Sequence, residues 1–262
     1  MTKYLEIKQA NGSTLIDDSI SRLCLKRHGT LWDLASKYSV HKYSYYGGGD
    51  PNVDRRCVTA VQFTIPKLEE EILVGFKFVA DNFGSCLNYS RKAQDEILVN
   101  VYSSPSGLYT GSDADSIKAL SESIIVYTFG KTVTEVNRFG LEIFNANGER
   151  IFNSSEKLLQ IVGDYNYEYS FFGNNFNSMP LSYTVTENSN NMILIPNQFL
   201  SGWTRSPNPN RMPYPGLYGI TFSGGKIYSR LIITAGSYGD DDWTGGQSWY
   251  ASYLLADGTY LP

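Results

Sequence analysis

The feature that most constrains this chain is an ungapped internal repeat. Residues 5–19, reading LEIKQANGSTLIDDS, align on residues 141–155, reading LEIFNANGERIFNSS, at an offset of 136. Leu, Glu, Ile, Ala, Asn, Gly and Ser coincide, so 7 of the 15 positions are identical. Leu23 and Leu159 continue the match, each followed two residues later by Leu25 or Ile161. Similarity at a fixed period means that one supersecondary unit has been used twice. In a chain of 262 residues that offset falls close to the midpoint.

The repeated unit reads as a β-hairpin. Leu5 and Ile7 alternate with polar neighbours, as do Leu141 and Ile143, which is the period-2 pattern of a half-buried strand. Asn11-Gly12 and Asn147-Gly148 offer the positive φ angles of a tight type I′ turn. The chain then returns through Leu15-Ile16 or Ile151-Phe152. Two unrelated hairpins with a common turn would not share their flanking residues, so the pattern favours duplication. A boundary is expected near Lys131–Asn137, which gives one domain at 1–133 and a second at 134–262. That segment is short and poor in Gly and Pro, so the halves are expected to pack side by side.

Each half is read mainly as strands. In the first these are Val58–Ile65, Ile72–Ala80, Ile97–Ser103 and Ile124–Phe129, each rich in β-branched or aromatic residues and bounded by turn residues. In the second they are Tyr165–Phe172, Leu181–Thr186, Met192–Ile195, Leu217–Phe222, Lys226–Thr234 and Trp249–Leu255. Ser223-Gly-Gly-Lys226 reads as a hairpin turn. Helical patterns are confined to Thr30–Lys37 and Asp113–Leu120. Short strands at close spacing in two halves of this size predict an all-β protein of two tandem, related β-sandwich domains with few short helices. The composition agrees: 14% aromatic residues, 20 of the residues being Tyr, against only 18% charged.

Several functional classes lose support. A net charge of −4 argues against a nucleic-acid binder, which would present a basic face. No apolar run approaches the roughly 20 residues of a membrane helix, and the N-terminus lacks a secretory pattern. Cys24, Cys57 and Cys86 form no CxxC pair and read as buried thiols rather than a disulfide or metal site. His28 and His41 have no carboxylate or cysteine at metal-ligand spacing, so neither a metal site nor a His-based catalytic site is expected. Asp113-Ala-Asp115-Ser116 fails the calcium-loop pattern in its fifth and sixth positions and reads as a helix cap. Gly47-Gly-Gly-Asp50 lacks the Lys-Ser/Thr ending of a phosphate loop, and Glu69–Glu71 reads as a solvated edge. No catalytic residue, metal or cofactor is expected, and the protein is read as not an enzyme.

Two segments stand out as contact surfaces, both in the second half. Residues 201–216 carry four of the ten prolines together with Trp203, Arg205, Arg211 and Tyr214. Stiff Pro-rich loops with Trp, Tyr and Arg suit a protein interface. Asp240, Asp241 and Asp242 adjoin Trp243, with Trp249 close behind, and could hold a cation or a sugar stacked on an aromatic ring. The bland alternative is an acidic surface loop. The second half also holds 14 of the 19 asparagines but 7 of the 22 Lys and Arg residues. Neutral hydrogen-bonding side chains among aromatics suit either glycans or packed protein neighbours.

The second copy of the hairpin resembles a known pattern. A small β domain of tailed-bacteriophage tail proteins opens with GL-x-V/I-F-x-x-x-G-x-x-I/V-F-D/N-S. This chain matches it at Gly140, Leu141, Ile143, Phe144, Gly148, Ile151, Phe152, Asn153 and Ser154. The resemblance extends over residues 138–262. The first half shares it only through the repeat, with Lys8 in place of the Phe at 144 and Asp17-Asp18 in place of Asn153-Ser154. The resemblance implies a structural component of a phage tail tip, fibre or baseplate-like assembly, located in the virion and assembled in the host cytoplasm. Its partners would be other tail proteins and further copies of itself, and no catalytic residue or cofactor comes with the family. The alternative reading is a receptor-binding module that recognises host surface polysaccharide.

Overall fold

In the computed structural model, the described residues are 6–8, 14–17, 23–44, 57–68, 71–80, 85–92, 96–103, 114–130, 141–144, 147–148, 150–153, 156–168, 182–186, 191–198, 201–204, 214–233 and 250–262. Their elements run β1 (Glu6–Lys8), β2 (Thr14–Asp17), β3 (Cys24–Thr30), α1 (Leu31–Leu34), β4 (Lys37–Ser44), β5 (Cys57–Pro66), β6 (Glu71–Phe78), β7 (Ser85–Lys92), β8 (Glu96–Ser103), α2 (Ala114–Glu122) and β9 (Ile124–Gly130) in the first half. The second half contains β10 (Glu142–Phe144), β11 (Arg150–Asn153), β12 (Ile161–Glu168), β13 (Ser182–Thr186), β14 (Met192–Gln198), β15 (Ser201–Thr204), β16 (Tyr214–Ser223), β17 (Lys226–Ile233) and β18 (Tyr250–Asp257). The chain is all-β, as its sequence pattern predicts.

Two large antiparallel sheets carry the fold, and both halves contribute to each. One runs β12-β18-β14-β6-β9-β3 and the other β13-β17-β16-β7-β8-β5-β4, with β15 beside β16. The halves join where β6 meets β14 at Phe76↔Leu194 and where β7 meets β16 at Leu87↔Ile220. Counting outward from these seams, β6, β9 and β3 occupy the places that β14, β18 and β12 occupy on the other side. Likewise β7, β8 and β5 correspond to β16, β17 and β13. The strand order of the two halves is thus alike about these seams, apart from β4 and β15, which have no counterparts among the described strands. The expected boundary at 133/134 lies between β9 and β10, outside the described residues, and both large sheets continue across it.

A sandwich core fills the space between the sheets. Val74, Phe76, Ile124, Val126, Leu194 and Tyr253 from one sheet meet Val61, Phe63, Ile97, Val99, Ile220 and Ile227 from the other. Phe78 of the first half stacks on Phe222 of the second, with ring centroids 6.2 Å apart. Alternation along the strands decides which residues enter. On β9, Ile124 and Val126 face the sandwich, while Ile125, Tyr127 and Phe129 face the other way into a second cluster.

That second cluster exists because the six-stranded sheet curls until its ends meet. Its end strands are β3 and β12. The residues just before β12 nevertheless pair with the start of β3 through a bridge at Cys24↔Leu158. Leu25 N donates to Lys157 O at 2.8 Å and Leu159 N to Leu23 O at 2.9 Å. The curled sheet encloses Tyr127, Phe129, Ile193, Ile195 and Ala256, with Leu23, Leu25, Leu73, Leu159, Leu254 and Leu261 around them. The repeat-equivalent Leu23 and Leu159 thus face each other across the junction of the halves.

Two expectations about local structure need adjustment, and the turn expected at Ser223–Lys226 is found. The helix read at Thr30–Lys37 is a single turn, Leu31–Leu34, after which the chain enters β4. Thr30 caps it, its Oγ1 accepting from Asp33 N at 3.0 Å, and Leu31 anchors it in the core. The type I′ turn expected at Asn147-Gly148 is not formed, since Gly148 has φ of 79° but Asn147 has no positive φ, and the turn expected at Asn11-Gly12 lies outside the described residues. A true two-residue turn occurs at Gly224-Gly225, with φ of 57° and 75°, between the paired Ser223 and Lys226.

Candidate interaction surfaces

The two described ends of the Pro-rich segment pair with each other as β15 and the start of β16, while 205–213 lie outside the described residues. Ser201–Thr204 pairs with Tyr214–Leu217, which sets Trp203 opposite Pro215 and Thr204 opposite Tyr214. Trp203 and Tyr214 are therefore on adjacent rungs of the ladder. Arg205, Arg211, Asp240, Asp241, Asp242, Trp243 and Trp249 lie outside the described residues. By position in the chain, 240–243 belong to the connection from β17 to β18, the counterpart of the connection that carries α2 in the first half. The β15 segment is an insertion as well: β6 and β7 are joined by 79–84, whereas β14 and β16 are joined by 199–213.

The one buried charged cluster among the described residues is structural. Glu71 is 2% exposed. Its Oε1 accepts from Arg27 Nε at 3.1 Å and from Thr128 Oγ1 at 2.6 Å. Its Oε2 accepts from Arg27 Nη2 at 3.1 Å and from Leu68 N at 2.9 Å. Arg27 Nη2 also donates to Pro66 O at 2.8 Å. A carboxylate engaged on both oxygens by a bidentate guanidinium holds strands in place and has no proton or electron pair to offer a substrate. The expectation for Glu69–Glu71 as a solvated edge is thus corrected at Glu71, which is needed to neutralise Arg27 inside the fold.

Several other ionisable groups among the described residues are also engaged within the fold. Cys24 is buried, and its Sγ donates to Glu156 Oε2 at 2.9 Å beside the bridge that joins the halves. His28 stacks on Tyr127 with ring centroids 6.1 Å apart. Tyr127 Oη donates to Pro262 O at 2.9 Å, fixing the C-terminal residues over the second core. Burial pushes the Tyr127 phenol up from its ordinary value. Burial also raises Tyr165, assisted by Tyr167 and Tyr253 nearby. No group of three or more His, Cys, Asp or Glu among the described residues is arranged to hold a metal. No helix among them is long and apolar enough to cross a membrane.

The surface that sequence reading did not single out is the repeated hairpin itself. Both copies form their own two-stranded sheets, β1-β2 and β10-β11. Their registers coincide residue for residue at the offset of 136: Glu6↔Asp17, Ile7↔Ile16 and Lys8↔Thr14 against Glu142↔Asn153, Ile143↔Phe152 and Phe144↔Arg150. The ladder slips at the same rung in each, after Ile7 and after Ile143. Leu141 and Phe144 are 57% and 52% exposed. The sequence carried this signal in its shared apolar residues, but periodicity alone assigns such residues to a core.

No protein-family model, curated protein or solved structure matches the chain.

Proposed function

We propose that this protein is a structural component of a bacteriophage tail, acting through protein–protein contacts in a tail-tip, fibre or baseplate-like assembly. The observation that carries the reading is the hairpin of residues 139–155, which resembles the opening of tail-protein β domains and recurs at 5–19. Its bulged register is the same in both copies, so the pattern belongs to a specific folded unit and not to a chance string. The structure of the chain suits such a role. Shared sheets and two apolar clusters make a stiff body, and the hairpins form ladders of their own. In this reading the protein has no catalytic role, and its partners are other tail proteins and further copies of itself.

The reading is tested by deleting the encoding segment from the phage genome and imaging the particles. Tails that are missing, truncated or unable to adsorb support it. Normal, infectious particles would sink it. The alternative is glycan recognition through Trp203, Tyr214, Trp243 or Trp249, of which Trp203 and Tyr214 lie on adjacent rungs of the β15–β16 ladder. Trp243→Ala with unchanged adsorption would count against it.

A further inference from the structure

We propose that the Arg27–Glu71 pair is a sorting key, which makes β3 pair within its own half and keeps it out of the place of its duplicate, β12. This goes beyond the tail reading and does not depend on it. A duplicated chain has two partners to choose between for each repeated strand. The β3–β9 and β12–β18 ladders share one pattern: β3 skips a residue between Leu25 and Arg27, and β12 skips one between Ile161 and Gly163, at the same offset of 136. The two strands lie at opposite ends of the same six-stranded sheet. Their chains nevertheless touch at the bridge Cys24↔Leu158, so they could exchange places by crossing where they already meet. Exchange of like elements is a characteristic error of repeated folds.

The matching registers show what such an exchange would bring together. In the first half Arg27 stands opposite Thr128, and Glu71 opposite Gly130. The equivalent rungs of the second half set Gly163 opposite Leu255 and Met192 opposite Asp257. Gly163, Met192 and Leu255 thus take the places of Arg27, Glu71 and Thr128. Set beside β18, β3 would carry the Arg27 guanidinium to Leu255, with no carboxylate at the place of Glu71. Set beside β9, β12 would leave the Glu71 carboxylate, in a residue 2% exposed, without its cation. In the native order the guanidinium reaches both carboxylate oxygens at 3.1 Å. A buried charge left alone is strongly unfavourable, whereas an intact buried pair contributes little over apolar packing. That asymmetry suits a group that selects between arrangements. It disfavours the exchanged order by about a hundredfold or more.

The test uses the full-length chain, isotopically labelled, unfolded in denaturant and refolded by dilution, with nuclear magnetic resonance reading which residues oppose each other. The wild type is expected to show one set of cross-strand contacts, with His28 opposite Tyr127. Arg27→Met with Glu71→Leu keeps the volume and removes the key. It should refold to two sets, one with His28 opposite Tyr127 and one with His28 opposite Leu254, the residue that Asp164 faces in the native order. Their populations should lie within about tenfold of each other. The unfolding midpoint should stay near that of the wild type; a purely structural pair would move the midpoint and leave a single set. Adding Gly163→Arg and Met192→Glu to the double variant should restore one set, because the halves differ again. Gly163 has room for a side chain, since a Cβ there meets only Leu255 Cδ1, at 3.9 Å. A double variant that refolds to the single wild-type set overturns the proposal, as does a transplanted key that leaves two sets. So does a double variant that fails to fold, because the pair is then needed for stability and not for choice.

Discussion

Gly75 shows how narrowly single residues fix the join between the halves. It lies on β6 beside the seam, and a Cβ there would sit 2.5 Å from Ile193 Cγ2 and 3.1 Å from Ile195 Cγ1 on β14. Gly75→Ala should therefore lower stability by about 1–3 kcal/mol in denaturant titration. Gly258→Ala meets the Asn191 carbonyl oxygen at 2.7 Å, a backbone atom with little room to retreat, and should cost a similar amount. Gly29 is the control: its nearest neighbour is the flexible end of Leu34 at 3.2 Å, so alanine there should be milder. The Arg27–Glu71 pair makes a second prediction. Arg27→Ala would leave the Glu71 carboxylate, 1% exposed in its side chain, without its cation, at a cost of about 3 kcal/mol. Replacing both with apolar residues of similar volume should recover most of that loss. If the single and double variants unfold at the same denaturant concentration, the pairing is not what satisfies Glu71.

The strands were legible in the sequence where they are apolar and obscure where they are polar. Val58–Ile65, Ile97–Ser103 and Ile124–Phe129 were bounded to within a residue or so of β5, β8 and β9, because alternating β-branched side chains feed the sandwich core. By contrast β4 reads KYSVHKYS and β7 reads SCLNYSRK, and neither has the apolar alternation that marks a strand. They are strands because β5 and β8 offer them ladders, which is a tertiary fact. The curl of the six-stranded sheet was equally hidden, since it depends on the pairing of residues 23–25 with 157–159. That element makes a pH prediction. With the Tyr127 and Tyr165 phenols raised by burial above 10.0, the folded state keeps protons that the unfolded chain releases. Stability should hold below pH 10 and fall as pH climbs through the folded values. Tyr127→Phe should blunt that alkaline loss while giving up the hydrogen bond to Pro262 O, worth about 1 kcal/mol. An alkaline unfolding curve identical to the wild type would show that Tyr127 does not titrate in this range.

At the scale of the molecule, the repeat told more than composition did, and the sheets added what the repeat could not. The offset of 136 revealed two related halves, but two side-by-side sandwiches and two halves sharing sheets leave the same sequence signature. The difference lies in which edges meet, and edge pairing such as Phe76↔Leu194 has no local pattern. Because both apolar clusters draw residues from both halves, unfolding should be a single cooperative transition, with calorimetric and van't Hoff enthalpies equal. Two resolved transitions would show instead that each half is stable alone. The candidate contact residues were legible only as composition: Trp203 and Tyr214 are in strands that pair, and that register is something the sequence does not display. Whether this chain is a tail component joined to its neighbours through protein contacts is decided by imaging the particles at a resolution that traces strands. The chain is expected in the tail, in several copies. A complete tail in which no copy of the chain is found would contradict it.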